Sequence, residues 1–198
     1  MKDVMKDAMK DVLMIHELSQ EMFELPLEDY ILTFDDGLYT QYKYLEQLKA
    51  LDTPKIFFIS SNLVRGQADP LNDEFIACGD AHKKAFNGNL ENYMSWDEIL
   101  EIHNTENCEI GGHGHDHLKL WDIKSTRDRY NSISEDTKMM VKTFKGKGIK
   151  LDSFCFPYNY EDPLLSGVVK RHKITNIFGL KTPYMGKQRI AIEKIGNY

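Results

Sequence analysis

Cysteine is scarce in this chain. Three stand among its 198 residues: Cys78, Cys108 and Cys155. An odd, sparse set builds no disulfide framework and points to a reducing compartment. A basic excess is also missing. The chain has 25 Lys and Arg against 31 Asp and Glu, a net charge of −6, which argues against a nucleic-acid partner. The basic run Lys142–Lys150 reads as a solvated helix end and loop. No apolar stretch is long enough to cross a membrane. The amino-terminal Met-Lys-Asp triple repeat is charged every three or four residues and has no long apolar centre. It does not read as a secretory signal, so a cytoplasmic location is expected. The repeat itself reads as a short, poorly packed helix or tail.

What remains is an ordinary globular composition, 41% hydrophobic and 28% charged. The length suits one domain with a full core, and the whole of 1–198 is expected to be that domain. Apolar runs at Val12–Ile15, Tyr30–Phe34, Ile56–Ile59, Cys108–Ile110, Leu151–Phe156, Ile174–Phe178 and Ile190–Ile195 read as strands. Between them, helices are predicted over Tyr39–Leu51, Trp96–His103, Ser125–Lys145 and Pro163–Arg171. Ser95 with Glu98 makes a capping box for the second, and Pro163 opens the last. Residues 62–94 are irregular, with one short helix, and read as an insertion. Strands alternating with helices predict an α/β fold with a mainly parallel sheet. Such sheets place chemistry at the carboxyl ends of their strands. His16, Asp35-Asp36, His113 and Pro157-Tyr158 all fall there.

Two of these clusters carry metal chemistry. Asp35 and Asp36 are adjacent at the end of a buried strand, where each charge loses water and repels the other. A metal ion resolves that cost if one Asp ligates it and the other handles a proton. The second cluster is Gly111-Gly112-His113-Gly114-His115-Asp116-His117. His113 and His117 are spaced to face one ion, and the glycines free the backbone around them. With Asp36 they make a His-His-Asp set with open coordination positions. Asp35 is then the general base for an ion-activated water. His115 lies between the two ligands and reads as supporting rather than ligating. The metallo-β-lactamase pattern His-x-His-x-Asp-His is missed by one residue and leaves Asp35-Asp36 unexplained. The ligands suit Zn²⁺, with Co²⁺, Ni²⁺ or Fe²⁺ as alternatives.

Thr33-Phe34-Asp35-Asp36-Gly37, then Glu109 through His117, then Phe154-Cys155-Phe156-Pro157-Tyr158, resemble the polysaccharide deacetylase family, the NodB-homology or carbohydrate esterase 4 group. The resemblance runs over about 12–195. It implies a distorted (β/α) barrel of about seven parallel strands. It also implies Asp35 as catalytic base, Asp36, His113 and His117 as metal ligands, and the Tyr158 backbone N–H as an oxyanion donor. Pro157 and Trp96 are candidate substrate contacts, with Trp121 and Tyr160 beside them. Two departures stand out. Cys155 occupies the place of an Arg that orients the base, and Arg189 is a candidate substitute. No Leu-x-His motif closes the chain. Instead Val12-Leu13-Met14-Ile15-His16 has that form at the front, as in the family's circularly permuted branch, which makes His16 the candidate general acid.

The expected activity is metal-dependent removal of an N-acetyl group from an amino sugar. A precursor of a surface glycan, such as lipopolysaccharide O-antigen or capsule, is the expected substrate. The alternatives are an amidase acting on a non-carbohydrate C–N bond and a degenerate carbohydrate-binding protein. A pairing of Cys78 with His82 in the insertion is too small a set to read as a second metal site.

Overall fold

The computed structural model describes residues 10–184 and 186–196. The Met-Lys-Asp repeat, but for its last residues, lies outside them. Seven strands form the sheet: β1 Asp11–Ile15, β2 Tyr30–Phe34, β3 Lys55–Ile59, β4 Cys108–Gly112, β5 Ser153–Cys155, β6 Asn176–Phe178 and β7 Arg189–Ala191. All their pairings are parallel, in the order β6-β5-β4-β3-β2-β1-β7. The sheet curls into a half-barrel, so the expected distorted (β/α) barrel is what the chain forms. Among the described residues six helices accompany it: α1 Tyr39–Lys43, α2 Leu45–Lys49, α3 Cys78–Ala85, α4 Trp96–His103, α5 Thr126–Gly146 and α6 Pro163–Arg171.

Side chains alternate across each strand, and the two faces have different partners. Leu13, Ile15, Leu32, Phe34, Phe57, Ile59, Ile110 and Phe154 point outward into the main core under the helices. Phe34 and Phe57 stack there with centroids 4.6 Å apart. Each such burial contributes about 1.5–3 kcal/mol. The opposite parity, Val12, Ile31, Ile56, Phe58, Cys155 and Phe178, fills the inside of the curl. That interior is narrow. A Cβ on Gly111 would meet the Phe58 ring at 2.5 Å, and one on Gly112 would meet Met140 Sδ at 2.6 Å on the other face. These two glycines therefore serve close packing, not the unusual dihedrals expected of them. Only Gly114 of the three has a positive φ, at +82°.

Most helices keep their expected bounds. The capping box of Ser95 and Glu98 is formed, and Asp162 caps α6 ahead of Pro163. The helix expected over Tyr39–Leu51 is instead two short pieces. Tyr44 leaves helical geometry at φ −101°, ψ 19°, and its ring packs on Phe23. Strands β5 and β7 are shorter than expected, and Ile192–Lys194 turns into a 3₁₀ helix. The insertion holds α3, whose Ala81 and Ala85 pack with Leu38, Leu63 and Tyr93. Among the described residues no helix is long and apolar enough to cross a membrane.

Candidate active site

The carboxyl ends of β1, β2, β4 and β5 share one rim of the sheet, and the polar residues gather there. Asp36 follows β2 at φ 75° and Gly37 at φ 80°, so the chain turns sharply and leaves the Asp36 carboxylate over the strand ends. His117 and Tyr158 also hold left-handed backbone, at φ 51° and 56°. Such conformations cost about 1–3 kcal/mol each in non-glycine residues and collect at functional sites.

Asp36, His113 and His117 converge. Their ligand atoms all lie within 4.8 Å of one another, and all three residues are buried. Asp36 Oδ1 is 3.2 Å from His113 Nε2 and 3.1 Å from His117 Nε2. Two ligand atoms about 2.0–2.2 Å from one ion stand about 3.0 Å apart at a right angle and about 3.4 Å at the tetrahedral angle. His113 Nδ1 donates to the Cys155 carbonyl at 2.9 Å, which leaves Nε2 for the ion side. Both His117 nitrogens are buried without a hydrogen-bond partner among the described residues. Burial pushes the Asp36 carboxyl up, but the His113 and His117 imidazoles beside it outweigh this and hold it well below the usual range. The two imidazoles part company. Burial takes His117 down to about 4, whereas His113, although burial lowers it, is raised well above the ordinary value by Asp36 and the Cys155 carbonyl. The donor set and the orphaned nitrogens fit a divalent cation.

Asp35 faces a different partner. Arg189, from β7, is fully buried and donates from Nη2 to Asp35 Oδ1 at 2.7 Å. The same guanidinium reaches Thr33 Oγ1 at 2.8 Å and Cys155 Sγ at 2.8 Å, and lies 5.7 Å from the Phe58 ring centre. Burial raises the Asp35 carboxyl, yet the charges of Arg189, His113 and His16 bring it below its ordinary value. Burial also raises the Cys155 thiol, so position 155 stays uncharged beside the guanidinium. A small residue at 155 leaves room for the arginine that arrives from β7. Asp35 Oδ2 accepts from the Cys155 thiol at 3.6 Å, its one hydrogen bond among the described residues.

His16 follows β1. Its carbonyl accepts from Gln41 Nε2 at 2.6 Å, and the same amide donates to the Asp35 carbonyl at 2.5 Å. Gln41 thus ties the ends of β1 and β2 together, a role that the sequence pattern did not signal. The His16 charge acts on both Asp35 and Asp36. A ligand atom of His16 also lies within 4.8 Å of Glu17 and Cys78. Burial, followed by the charges of Asp36 and Glu17, takes the Cys78 thiol up to about 12.

Aromatic rings rim the site. Tyr158 meets His117 edge-on at 4.3 Å, and Trp121 meets Tyr158 at 4.9 Å and Tyr160 at 5.7 Å. Trp121 and Tyr160 are exposed. Pro157 is buried below them, 3.6 Å from where a Cβ on Gly114 would sit. Trp96 is placed elsewhere: its ring packs edge-on against Phe144 at 5.4 Å, under Lys147. His115 turns away from the ligand set and pairs through Nδ1 with Ser61 Oγ at 2.8 Å. Its backbone and that of Asp116 donate to the buried Asp136 carboxylate, which braces the loop between the two ligand histidines. His82, from the insertion, is brought in: its Nε2 lies 3.5 Å from Asp36 Oδ1.

Comparison with known proteins bears on the family and the fold. A family model described as polysaccharide deacetylase matches residues 26–177. Among solved structures, IcaB from Ammonifex degensii superposes with a TM-score of 0.64 at 18% identity, over 91% of this chain and 92% of that one. The BpsB deacetylase domain from Bordetella bronchiseptica gives 0.65 at 14%, over 94% and 96%. A de-N-acetylase from Aggregatibacter actinomycetemcomitans gives 0.61 at 18%, over 94% and 79%. At these identities the structural likeness speaks for the fold. A search of curated protein sequences found no match.

Proposed function

Because the chain belongs to the polysaccharide deacetylase family, we propose that it is a metal-dependent hydrolase that removes an N-acetyl group from an amino sugar. The observation that carries this reading is the division of the adjacent aspartates. Asp36 faces His113 and His117, while Asp35 faces Arg189.

A divalent ion held by Asp36, His113 and His117 would polarise the amide carbonyl and lower the pKa of a water. Asp35 takes the proton of the attacking water. Arg189 occupies its Oδ1 and keeps the carboxylate ionised, so Oδ2 is the oxygen that accepts. As the carbonyl becomes tetrahedral, the Tyr158 backbone N–H donates to its oxygen. Tyr158 holds left-handed backbone at φ 56°. His16 supplies the proton to the departing amine, and acetate and a free amino sugar result. His16 follows β1, outside the family-matched residues, and β1 pairs directly with β7 at the sheet edge. That placement supports the view that a carboxyl-terminal family motif has moved to the front of the chain.

Trp121, Tyr158 and Tyr160 offer apolar faces on which pyranose rings stack, with Pro157 beneath. A sugar unit of a surface-glycan precursor, of the O-antigen or capsule type, suits this open rim. The test is acetate release by purified, Zn²⁺- or Co²⁺-loaded protein from N-acetylated sugars: monosaccharide, nucleotide-linked, lipid-linked and polymeric. Release from at least one of them is expected. A metal-loaded protein that frees no acetate from any of them would contradict the proposal.

A further inference from the structure

The insertion brings a third imidazole to Asp36. His82 lies on the buried side of α3 with Ala81 and Ala85. Its Nε2 approaches the same carboxylate oxygen as the two ligand histidines, at 3.5 Å against 3.2 Å for His113 and 3.1 Å for His117. Its ring lies against that of His117, centroids 4.4 Å apart, and is enclosed by Phe86, Tyr93 and Tyr158. Nε2 is buried without a hydrogen-bond partner among the described residues. A buried polar atom left unpaired is costly, and an apolar side chain among those rings would avoid that cost.

Resting on the assignment of Asp36, His113 and His117 as a metal site, we propose that His82 is a fourth protein ligand of the same ion. Atoms sharing one ion at about 2.0–2.2 Å are separated by about 3.0–3.4 Å at angles from right to tetrahedral. The three nitrogens stand 3.1 to 3.5 Å from Asp36 Oδ1. His82 is the outlier, since the set within 4.8 Å throughout is the other three residues. To share the ion, the His82 side chain would have to shift toward the other ligands. Such a set would suit an ion that accepts more than four ligands, with room left for a water and a substrate carbonyl. The irregular insertion thereby becomes part of the metal centre.

The test is Zn²⁺ titration by calorimetry, with X-ray absorption on the Zn²⁺-loaded full chain. Absorption from the unmodified protein should count three imidazoles. His82→Phe, which fills the volume without a nitrogen, and His82→Asn should each lose one imidazole. They should weaken Zn²⁺ affinity on the order of 10–100-fold or more while keeping the circular dichroism of the parent. Two imidazoles in the unmodified protein, with variant affinities unchanged within about threefold, would overturn the proposal and leave His82 a packing residue. If a variant fails to fold, the imidazole count of the unmodified protein still decides. Unmodified protein that takes up no Zn²⁺, Co²⁺ or Ni²⁺ would sink the metal site itself, an outcome distinct from the loss of His82 alone.

Discussion

Residues 26–177, the family-matched middle of the chain, carry Asp35, Asp36, His113 and His117 as neighbours within two short segments. The strands outside that span, β1 and β7, bring His16 and Arg189 from opposite ends of the sequence. They meet because Val12 pairs with Arg189 in a parallel register. The middle writes its chemistry locally, where a turn or a loop fixes the spacing. The ends write theirs through strand pairing, where the partner of a residue is set by topology. Arg189 shows how far this goes: it rises from the edge strand to reach Thr33, Asp35 and Cys155 on β2, at its end, and on β5.

The largest effect that tests this comparison is expected from Arg189→Met. Removing one partner of a buried ion pair leaves the other charge uncompensated, a loss of about 3–5 kcal/mol in folding stability measured by denaturant titration. Turnover should fall with it. In the double variant Cys155→Arg/Arg189→Cys, which returns the cation to the middle of the chain, part of both losses should be recovered. Equal stability of Arg189→Met and the parent would show that the edge strand contributes no more than packing. Next comes His16→Ala. Loss of a general acid lowers kcat by about 10²–10⁴-fold, with Zn²⁺ stoichiometry unchanged. A fall in metal content would mean that β1 serves the ion and not the leaving group. The smallest effect belongs to the scaffold of the middle segment. Ser95→Ala removes the hydroxyl that accepts from Glu98 N and should cost about 1 kcal/mol in stability, with kcat unaltered.

Most of the fold was legible because its signals are short-range. Continuous apolar runs marked the strands, and Ser95 and Pro163 marked helix starts that the structure keeps. The spacing of Tyr42, Leu45 and Leu48 predicts one continuous helix over Tyr39–Leu51 because it carries no sign of the break at Tyr44. That break lets Gln41 clasp the ends of β1 and β2 while Leu45 and Leu48 enter the core. At the site, the aspartate pair and the histidine cluster stood out by composition. Arg189 was nameable only as one candidate for a missing charge, since nothing local ties it to Asp35. His82 stands out in the sequence only beside Cys78, a pair too small to read as a metal site. A lone histidine on a short helix carries no mark of the carboxylate it will face. Trp96 illustrates the converse: an aromatic near the motifs in sequence packs on Phe144 in the outer core.

The division of labour between the two aspartates is the central claim, and one paired measurement tests it most directly. Zn²⁺ binding and acetate release are measured side by side for Asp35→Asn and Asp36→Asn. Asp35→Asn should bind Zn²⁺ like the parent and lose turnover by about 10²–10⁴-fold, whereas Asp36→Asn should lose the metal and, with it, the activity. If Asp35→Asn sheds Zn²⁺ as readily as Asp36→Asn, or turns over as fast as the parent, the two carboxylates do not hold the separate roles assigned to them.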